Sequence, residues 1–373
     1  MNTDKDILGR VLTPLCLIQE IYGLLTPYLK PGLHVYEPGV GDNRFFEHYP
    51  LPCTYTGCEL SPRSELPPTI FRGDFFDQPL EMYDVILGNP PFRVETTGNG
   101  LSPIKTKVSQ KTIWPDIVKR CFTHLKEGGV MAMILPCIWL KPDLAGIYEL
   151  FTLNRILFLR CYSCVEANKL FGYNGQTPVC YVIVKKVRVE ILRPTKIISF
   201  MIYDEGFIPF TLKPGLCIPT KNAGLLQKSL QSFKKPMSCV KIPTEVKGTV
   251  IENPTKKYPV LTTYKNGRLY GVESDSPGLF QGERKVLLLH KTLPIPFLDE
   301  GLYGVAGRDK YVLDPEYFEF LKLELVQKII KSFTIRMNFY EKYVFDYLPC
   351  KEEMELWLNE MKDEMTNEMK NEK

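Results

Sequence analysis

The stretch Asp84-Val85-Ile86-Leu87-Gly88-Asn89-Pro90-Pro91-Phe92 decides how the first half of the chain is expected to fold. Its apolar run ends at Gly88 and predicts a buried strand. The two prolines fix φ twice and keep Asn89 out of helical geometry, so the strand is expected to end in a stiff, extended turn. The Asn89 amide oxygen and the Pro90 carbonyl can both accept hydrogen bonds from one planar amino group, while the Phe92 ring stacks on the heterocycle that carries it. A proline-rich turn after a core strand is the plainer interpretation.

An earlier predicted strand leads into a glycine-rich turn. It runs from His34 to Glu37 and is followed by Pro38-Gly39-Val40-Gly41-Asp42, with a helix expected from Asn43. A strand, a glycine-rich turn and a helix make a unit that cradles nucleotides. At the end of this strand, Glu37 can bind an amino group.

Two further predicted strands end close to acidic residues. Residues 55–58 lead to Glu59, and an acid about 20 residues after a glycine-rich turn commonly binds ribose hydroxyls. Residues 69–71 lead to Asp74, which can reach an adenine amino group while Phe75 covers the ring.

Strands and helices alternate over this half of the chain. Helices are expected at Leu15–Leu29 and Trp114–Leu125, with Thr13 placed to cap the first of them. Further strands are expected at residues 130–135, 156–161 and 179–187. The alternation predicts an α/β fold with a doubly wound, mostly parallel, Rossmann-like sheet. Ligands bind such sheets at the carboxyl ends of the strands, where all the polar residues named above fall.

Two loops interrupt this pattern. The glycines and lysines between Arg93 and Lys111 predict a mobile loop, and a loop of about 20 residues inside a compact domain is usually functional. The other loop, from Lys169 to Gly175, is rich in turn-forming residues and holds Phe171 and Tyr173.

The composition changes from about Glu190, where prolines, lysines and short alternating runs become frequent. We therefore expect a first domain at residues 1–195, an α+β or β-rich domain at 196–350 and a charged helical tail at 351–373. Residues 259–270 predict a β-hairpin with Asn266-Gly267 at its turn, and Lys285 to His290 predicts another strand. Residues 213–268 contain eleven Lys and Arg but only two Glu, a balance suited to a polyanion. A solvated, lysine-rich surface would have the same composition.

The overall composition is that of a globular protein, with 44% hydrophobic and 24% charged residues. No run of 18 apolar residues predicts a membrane span, and the polar first ten residues do not resemble a signal peptide, so a cytoplasmic location is expected. Eleven scattered cysteines fit reduced thiols. The single pair Cys161 and Cys164 has no second pair and no nearby histidine, so no metal is expected.

The motifs form a recognisable series. In order they are Thr13-Pro14, Glu37-Pro38-Gly39-Val40-Gly41, Glu59, Asp74-Phe75 and Asn89-Pro90-Pro91-Phe92. In this combination the chain resembles the γ-class amino-methyltransferases of restriction–modification systems, the TaqI-like adenine enzymes. The resemblance covers roughly residues 7 to 190, and the basic domain after it matches only in position and general character. Many relatives have tyrosine where Phe92 stands, but stacking does not require the hydroxyl.

The resemblance implies S-adenosylmethionine as the cofactor, bound across the first three strand ends. The residues that it places around the cofactor are Thr13, Glu37, Gly39 and Gly41 at the methionine end, Glu59 at the ribose, Asp74 and Phe75 at the adenine, and Asn89 beside them. The catalytic turn it implies consists of Asn89, Pro90, Pro91 and Phe92. Phe171 would stack on the second face of the substrate base, with Tyr173 as a neighbouring candidate.

The activity implied is site-specific transfer of a methyl group to the 6-amino group of a flipped-out adenine in duplex DNA. A restriction endonuclease acting on the same site is the implied partner, and the enzyme would be a monomer or dimer. The candidate DNA contacts are Lys105, Lys107, Lys256, Lys257, Lys265 and Arg268.

Other functions share the Asn-Pro-Pro-aromatic turn. Protein glutamine methyltransferases usually carry their extra domain before the core, whereas here about 30 residues precede the first strand and some 180 follow the core. An RNA amino-methyltransferase would use a basic domain equally well. Cytosine also carries an exocyclic amine, so the chemistry alone leaves adenine and cytosine open. A nucleic-acid-binding module without activity would be expected to lack some of the cofactor residues.

Overall fold

The computed structural model describes residues 11–62, 65–96, 109–142, 144–172, 175, 177–187, 197–242, 248–251, 257–265, 268–289, 294–306, 310–333, 335 and 342–362. Side chains are described in these ranges except at 94–96, 109–111 and 265. The chain divides into two compact units, residues 1–215 and 216–373.

The first unit is built on one large sheet. Its strands are β1 (Leu33–Pro38), β2 (Cys53–Glu59), β3 (Ile70–Arg72), β4 (Tyr83–Gly88), β7 (Leu125–Pro136), β8 (Arg155–Tyr162), β9 (Val179–Lys185), β10 (Ile198–Tyr203) and β11 (Phe207–Leu212), while β5 (Arg93–Thr96) and β6 (Ser109–Thr112) form a separate ribbon. The order across the sheet is β11-β10-β8-β9-β7-β4-β1-β2-β3.

The centre of this sheet is parallel. Strands β3, β2, β1, β4 and β7 are parallel neighbours, which is the order in which a doubly wound sheet begins. Strand β9 lies antiparallel between β7 and β8, and β11 is antiparallel to β10. The predicted fold class, an α/β protein with a mostly parallel Rossmann-like sheet, is therefore confirmed.

Helices connect these strands and cover the sheet. They are α1 (Leu15–Leu25), α2 (Arg44–Glu47), α3 (Trp114–Thr123), α4 (Ile147–Thr152) and α5 (Cys164–Phe171), with 3-10 turns at Thr26–Tyr28 and Cys137–Leu140. One face of α1 is buried through Leu17, Ile21 and Leu25, which join a core cluster with Val35 and Val85 of the central strands. Each such side chain contributes about 1.5–3 kcal/mol of hydrophobic stabilisation.

Two local predictions in this unit are wrong, and a third is contradicted only at its ends. Thr13 does not cap α1, because Pro14 occupies the N-cap position and makes no side-chain hydrogen bond there. Helix α1 ends at Leu25 rather than Leu29, since Pro27 has no N–H with which to continue the helical ladder. The predicted loop from Arg93 to Lys111 begins and ends in paired strands, β5 and β6, and its residues 97–108 lie outside the described ranges.

The first unit continues beyond residue 195, where the sequence predicted the end of the first domain. Strand β10 pairs in parallel with β8, and β11 pairs with β10. These strands bury Phe200, Ile202 and Phe210. The division between the compact units therefore falls after Gly215.

The second unit contains two four-stranded sheets. One has the order β12-β19-β16-β17 and the other β13-β15-β14-β18. The strands are β12 (Val240–Ile242), β13 (Thr249–Val250), β14 (Tyr258–Lys265), β15 (Arg268–Ser274), β16 (Arg284–Leu288), β17 (Pro296–Glu300), β18 (Gly304–Val305) and β19 (Lys310–Leu313). The helices are α6 (Ala223–Gln231), α7 (Tyr317–Lys322), α8 (Glu324–Lys331) and α9 (Met354–Glu360), with 3-10 turns at Lys342–Tyr347 and Lys351–Glu353.

The predicted hairpin is the antiparallel pair β14 and β15, which runs from Tyr258 opposite Ser274 to Lys265 opposite Arg268 with a shift of register between Leu261 and Thr263. Its turn, residues 266–267, lies outside the described ranges. The strand expected at Lys285 to His290 is β16. In the predicted tail, α9 buries Trp357 completely. Among the residues that the structure describes, no helix combines the length and apolar character needed to span a bilayer.

Candidate functional site

The carboxyl ends of β1, β2 and β4 meet at one edge of the sheet because these strands are parallel neighbours. This topology brings Glu37, Glu59 and Asn89 to the same edge. The glycine-rich turn after β1 lies against the turn after β4, since a Cβ atom added to Gly39 would be 3.4 Å from Pro91 Cδ. Similarly, a Cβ atom on Gly88 would be 3.3 Å from Glu37 Cγ. The two motifs with the strongest chemical signal are thus in contact.

Glu37 is a buried acid at the end of β1, with 2% of its surface exposed. Tyr55 on β2 donates a hydrogen bond to Glu37 Oε2 at 2.7 Å. Burial raises the pKa of the Glu37 carboxyl well above its ordinary value; the Tyr55 hydrogen bond opposes the shift, while nearby Asp42 and Glu59 add to it. The environment therefore penalises the carboxylate in the absence of a cation, and a bound cation would offset that penalty.

Glu59 supports the glycine-rich turn directly. Its Oε2 atom accepts from the Gly41 backbone N–H at 2.8 Å, and its Oε1 atom accepts from the Ser61 backbone N–H at 3.1 Å. The backbone N–H groups of Gly39 and Val40 meanwhile donate to the Cys58 carbonyl. Gly39 and Gly41 have φ values of 78° and 63°, a region that favours glycine. A role in shaping this turn was not evident from the sequence.

Asp74 stands in a tight turn after β3. Its Oδ1 atom accepts from the Phe76 backbone N–H at 2.8 Å. The predicted ring-covering residue, Phe75, is buried, with its ring centroid 5.1 Å from the Arg120 guanidinium carbon. The adjacent Phe76 is 41% exposed, so the turn presents a second aromatic ring that sequence reasoning did not identify.

The Asn89 side chain is held by a segment near the start of the sequence. Its Nδ2 atom donates to the Val11 carbonyl at 3.2 Å and to Thr13 Oγ1 at 3.3 Å. The predicted cofactor residue Thr13, itself buried, is therefore a hydrogen-bond partner of Asn89. With its amino end turned to these acceptors, the amide presents its oxygen in the opposite direction.

Two partly buried aromatic residues, Phe92 and Phe171, pack against the same core cluster of the first unit. Phe171 is the last residue of α5, a helix that begins with a capping box formed by Ser163 and Glu166. Asn168 closes the loop behind Phe171, because its side chain both donates to the Gly175 carbonyl, at 3.1 Å, and accepts from the Gly175 N–H, at 2.7 Å. The alternative candidate, Tyr173, lies outside the described residues.

The candidate DNA contacts are only partly described. Lys105, Lys107 and Lys256 lie outside the described ranges, and at Lys265 only the backbone is described. Lys257 is exposed, with its ammonium nitrogen 5.3 Å from the Tyr258 ring centroid. Arg268 is exposed at the start of β15.

Within the described ranges, no group of three His, Cys, Asp or Glu residues is placed to hold a metal ion. Cys161 and Cys164, the pair considered from the sequence, are both of intermediate exposure and form no disulfide.

Comparison with curated proteins finds similarity to DNA-modification enzymes over part of the chain. The type II methyltransferase M.TthHB8I of Thermus thermophilus is 27% identical over 157 residues, which are 36% of this chain and 36% of that protein. The modification methylase CviBIII of Paramecium bursaria Chlorella virus NC1A is 26% identical over 147 residues, 35% of this chain and 38% of that protein. The chain thus spans little more than a third of the length of these relatives. No protein-family model matches it.

Solved structures give a looser likeness. The methyltransferase subunit of a type I restriction-modification system from Streptococcus thermophilus covers 53% of this chain and 48% of its own, with 20% identity and a TM-score of 0.40. A DrdV–DNA complex covers 83% of this chain and 49% of its own, with 11% identity and a TM-score of 0.43.

Proposed function

We propose that the chain is a DNA methyltransferase that uses S-adenosylmethionine to methylate the 6-amino group of an adenine at a specific site in duplex DNA. The orientation of the Asn89 amide carries this proposal. Its nitrogen is bonded to the Val11 carbonyl and the Thr13 hydroxyl, so its oxygen is the end offered to a substrate. An acceptor of this kind, next to the Pro90 carbonyl on a rigid turn, suits an exocyclic amine.

The residues around the glycine-rich turn fit S-adenosylmethionine, which supplies a methyl group on a positively charged sulfur. The fit rests on Glu37, a buried carboxyl whose pKa is raised by burial and by the neighbouring acids Asp42 and Glu59. Such a group is stabilised in its charged form by a cation, and the cofactor carries an ammonium as well as its sulfonium. We assign Glu37 and the Gly39–Gly41 turn to the methionine end, with Glu59 at the ribose and Asp74 near the adenine.

The chain's own residues would act by positioning. Hydrogen bonds from the target amine to Asn89 Oδ1 and the Pro90 carbonyl orient its two N–H groups and leave the nitrogen lone pair free to attack. Fixed acceptors placed where positive charge develops on that nitrogen favour the transition state. Holding the reactants in line contributes most of the remaining acceleration.

A base inside a duplex is unreachable, so the target adenine would have to leave the stack, at a cost of a few kcal/mol. We assign Phe92 and Phe171 to stacking on the extruded base. Reading several base pairs requires groove contacts outside this site, and we assign that role to residues 216–350 of the second unit, with Lys257 and Arg268 as described candidates. We also propose, as part of the same function, a partner restriction endonuclease that acts on the same DNA sequence.

DNA is favoured over RNA and over a protein glutamine because both curated relatives are named as a type II methyltransferase or a modification methylase. Adenine is favoured over cytosine by the order and identity of the motifs from Thr13 to Phe92. The experiment must therefore distinguish methylation of adenine in duplex DNA from methylation of RNA or of cytosine.

The test incubates the protein with methyl-labelled cofactor and either duplex DNA or RNA, and then identifies the modified base and its sequence positions. We expect label only in duplex DNA, on adenine, at one short sequence. Asn89→Ala should lower turnover by about 10²–10³-fold with little change in cofactor affinity. The control is Asn359→Ala, which alters an exposed asparagine on α9 and should leave turnover unchanged. Label on cytosine or RNA, or a fully active Asn89→Ala variant, would overturn the proposal.

A further inference from the structure

A short segment, residues 11–14, connects the two motifs of the site; we call it the strap. On one side the strap accepts the two hydrogen bonds from Asn89 Nδ2. On the other side its Thr13 carbonyl accepts from Arg44 Nη1 at 3.1 Å. Arg44 is the first residue of α2, directly after the glycine-rich turn, and its Nε atom is 2.5 Å from Asp42 Oδ2. A continuous chain of polar contacts therefore runs from Asp42 to Asn89.

The strap determines which end of the Asn89 amide faces the substrate. An asparagine amide has an accepting oxygen and a donating nitrogen of nearly equal size, so both orientations fill the same space. The Val11 carbonyl can only accept, and a reversed amide would place two oxygens against each other. The reversed amide would also offer N–H groups to an amine whose own N–H groups need acceptors. A correct orientation at Asn89 is thus a requirement of the proposed chemistry.

We propose that Thr13 is a positioning residue that holds the Asn89 amide in the orientation selected by the Val11 carbonyl, and that Arg44 anchors the strap in which both residues lie. This inference rests on the proposed function, since the orientation matters only where Asn89 accepts from a substrate. It changes the role expected for Thr13, from a contact of the cofactor to a support of the catalytic turn. It also makes the start of α2, which follows the glycine-rich turn, a support for the catalytic asparagine.

Three variants at Thr13 separate positioning from packing. Thr13→Val keeps the shape and removes the acceptor, Thr13→Ser keeps the hydroxyl and removes a methyl group, and Thr13→Ala removes both. A net hydrogen bond of this kind corresponds to about tenfold in rate, so Thr13→Val should lower kcat by about tenfold. Thr13→Ser should restore kcat to within about threefold of the parent, while Thr13→Ala resembles Thr13→Val.

The measurement is steady-state methyl transfer to duplex DNA, with cofactor Kd determined by calorimetry. A positioning role predicts that kcat falls in Thr13→Val while cofactor Kd stays within about twofold. A Kd that weakens as much as kcat falls would make Thr13 a cofactor contact and overturn the inference. Loss of activity in Thr13→Ser equal to that in Thr13→Val would also overturn it, because packing would then be the cause.

A spectroscopic readout keeps the inference separate from the proposed function. In protein labelled with ¹⁵N-asparagine, the side-chain amide resonances of Asn89 are assigned by their loss in Asn89→Ala. Thr13→Val should shift these resonances and speed their exchange with solvent, whatever the enzyme methylates. Unchanged resonances would refute positioning even if Asn89 proves essential, whereas an active Asn89→Ala variant would refute the proposed function alone.

Arg44 is tested by coupling. Arg44→Gln should lower kcat in the same direction as Thr13→Val, because the strap loses its anchor. In the double variant the two losses should combine to less than their product, since both act through Asn89. Fully multiplicative losses of kcat would show that Arg44 acts independently of Thr13. Arg44 would then not belong to the proposed series of contacts that supports Asn89.

Discussion

Tyr55 donates its hydroxyl hydrogen to Glu37 Oε2 at 2.7 Å, joining neighbouring parallel strands at the edge where the candidate site lies. The bond provides one partner to a carboxyl that is almost completely buried. Burial still dominates and raises the pKa of Glu37 well above its ordinary value of 4.5. Ionising such a buried carboxyl costs free energy, and a bound cation would offset this cost by stabilising the carboxylate.

The first prediction concerns pH and the stability of the cofactor-free protein. Between pH 4.5 and the raised pKa of Glu37, the folded protein binds more protons at this group than the unfolded chain does. The contribution of Glu37 to the free energy of unfolding is therefore present below pH 4.5 and is lost as pH rises through the raised pKa. Glu37→Gln lacks this dependence, so its stability relative to the parent should increase with pH, by at most about 1.4 kcal/mol per unit.

Urea unfolding of both proteins from pH 4 to pH 8 provides the measurement. Tyr55→Phe is the matched variant, because removing the opposing hydrogen bond raises the Glu37 pKa further and moves the loss of stability to higher pH. A difference between parent and Glu37→Gln that stays constant with pH would contradict the prediction.

The second prediction concerns Glu59 and the glycine-rich turn. Both oxygens of Glu59 already accept backbone N–H groups, from Gly41 and Ser61. Losing hydrogen bonds to a charged group costs about 1.5–3 kcal/mol each. Glu59→Ala should therefore weaken S-adenosylmethionine binding and also lower the free energy of unfolding without cofactor.

Calorimetry and urea unfolding distinguish the two contributions. Free methionine, which has no ribose, serves as a second ligand. If Glu59 acts only through the turn, affinity for methionine and for the whole cofactor should fall by the same factor. A larger loss for the whole cofactor would add a direct ribose contact, and unchanged stability would rule out the supporting role.

Much of the site could be predicted because local patterns in the sequence indicate a parallel sheet. Glu37 and Glu59 lie at the ends of short predicted strands and Asn89 directly follows one, and parallel strands of a doubly wound sheet end at one edge. The hairpin of the second unit was predictable for a similar reason, since Asn-Gly between alternating residues specifies a tight turn.

Contacts between distant residues could not be predicted in this way. Thr13 and Asn89 are 76 positions apart, and the sequence around Thr13 predicted a helix cap instead. Likewise, lysines and prolines near residue 190 indicated a new domain, yet Phe200, Ile202 and Phe210 continue the first sheet. Local composition reports solvent exposure and turn content, whereas membership of a sheet depends on pairing with a strand elsewhere in the chain.

The third prediction concerns a buried ion pair in the second unit. Lys285 Nζ is 2.5 Å from Asp299 Oδ2 and also donates to the carbonyls of Phe280, Glu283 and Tyr303. Removing one partner of such a pair leaves an uncompensated charge and typically costs about 3–5 kcal/mol. Lys285→Met should destabilise the second unit by this amount, measured by urea unfolding.

A double variant and a surface pair provide the controls for Lys285. Lys285→Met combined with Asp299→Leu removes both charges and should recover much of the loss. Lys322→Met breaks an exposed pair with Glu319 and should cost at most about 1 kcal/mol. A double variant less stable than Lys285→Met would show that the pair's hydrogen bonds to the backbone, rather than its charges, carry the stability.

The last prediction separates two candidate DNA contacts that lie at opposite ends of one ribbon. Lys257 immediately precedes β14, and Arg268 begins β15 opposite Lys265 at the hairpin tip. At about 3.4 Å per residue, the eight residues of β14 separate the two ends by some 25 Å. A two-stranded ribbon fits the major groove. A residue at its tip can therefore reach the edges of the DNA bases, while a residue at the other end of the ribbon contacts phosphates.

Lys257→Gln should weaken binding to all duplexes alike and reduce the salt slope by about one unit. Arg268→Gln should instead relax the choice at one base pair, by about 1–3 kcal/mol, when methylation of the cognate sequence and its single-base variants is compared. Lys322→Gln on α7 is the matched loss of a positive charge and should change neither quantity. If Arg268→Gln weakened all duplexes equally, the hairpin tip would contact only the backbone, and the residues that read the sequence would lie elsewhere in the chain.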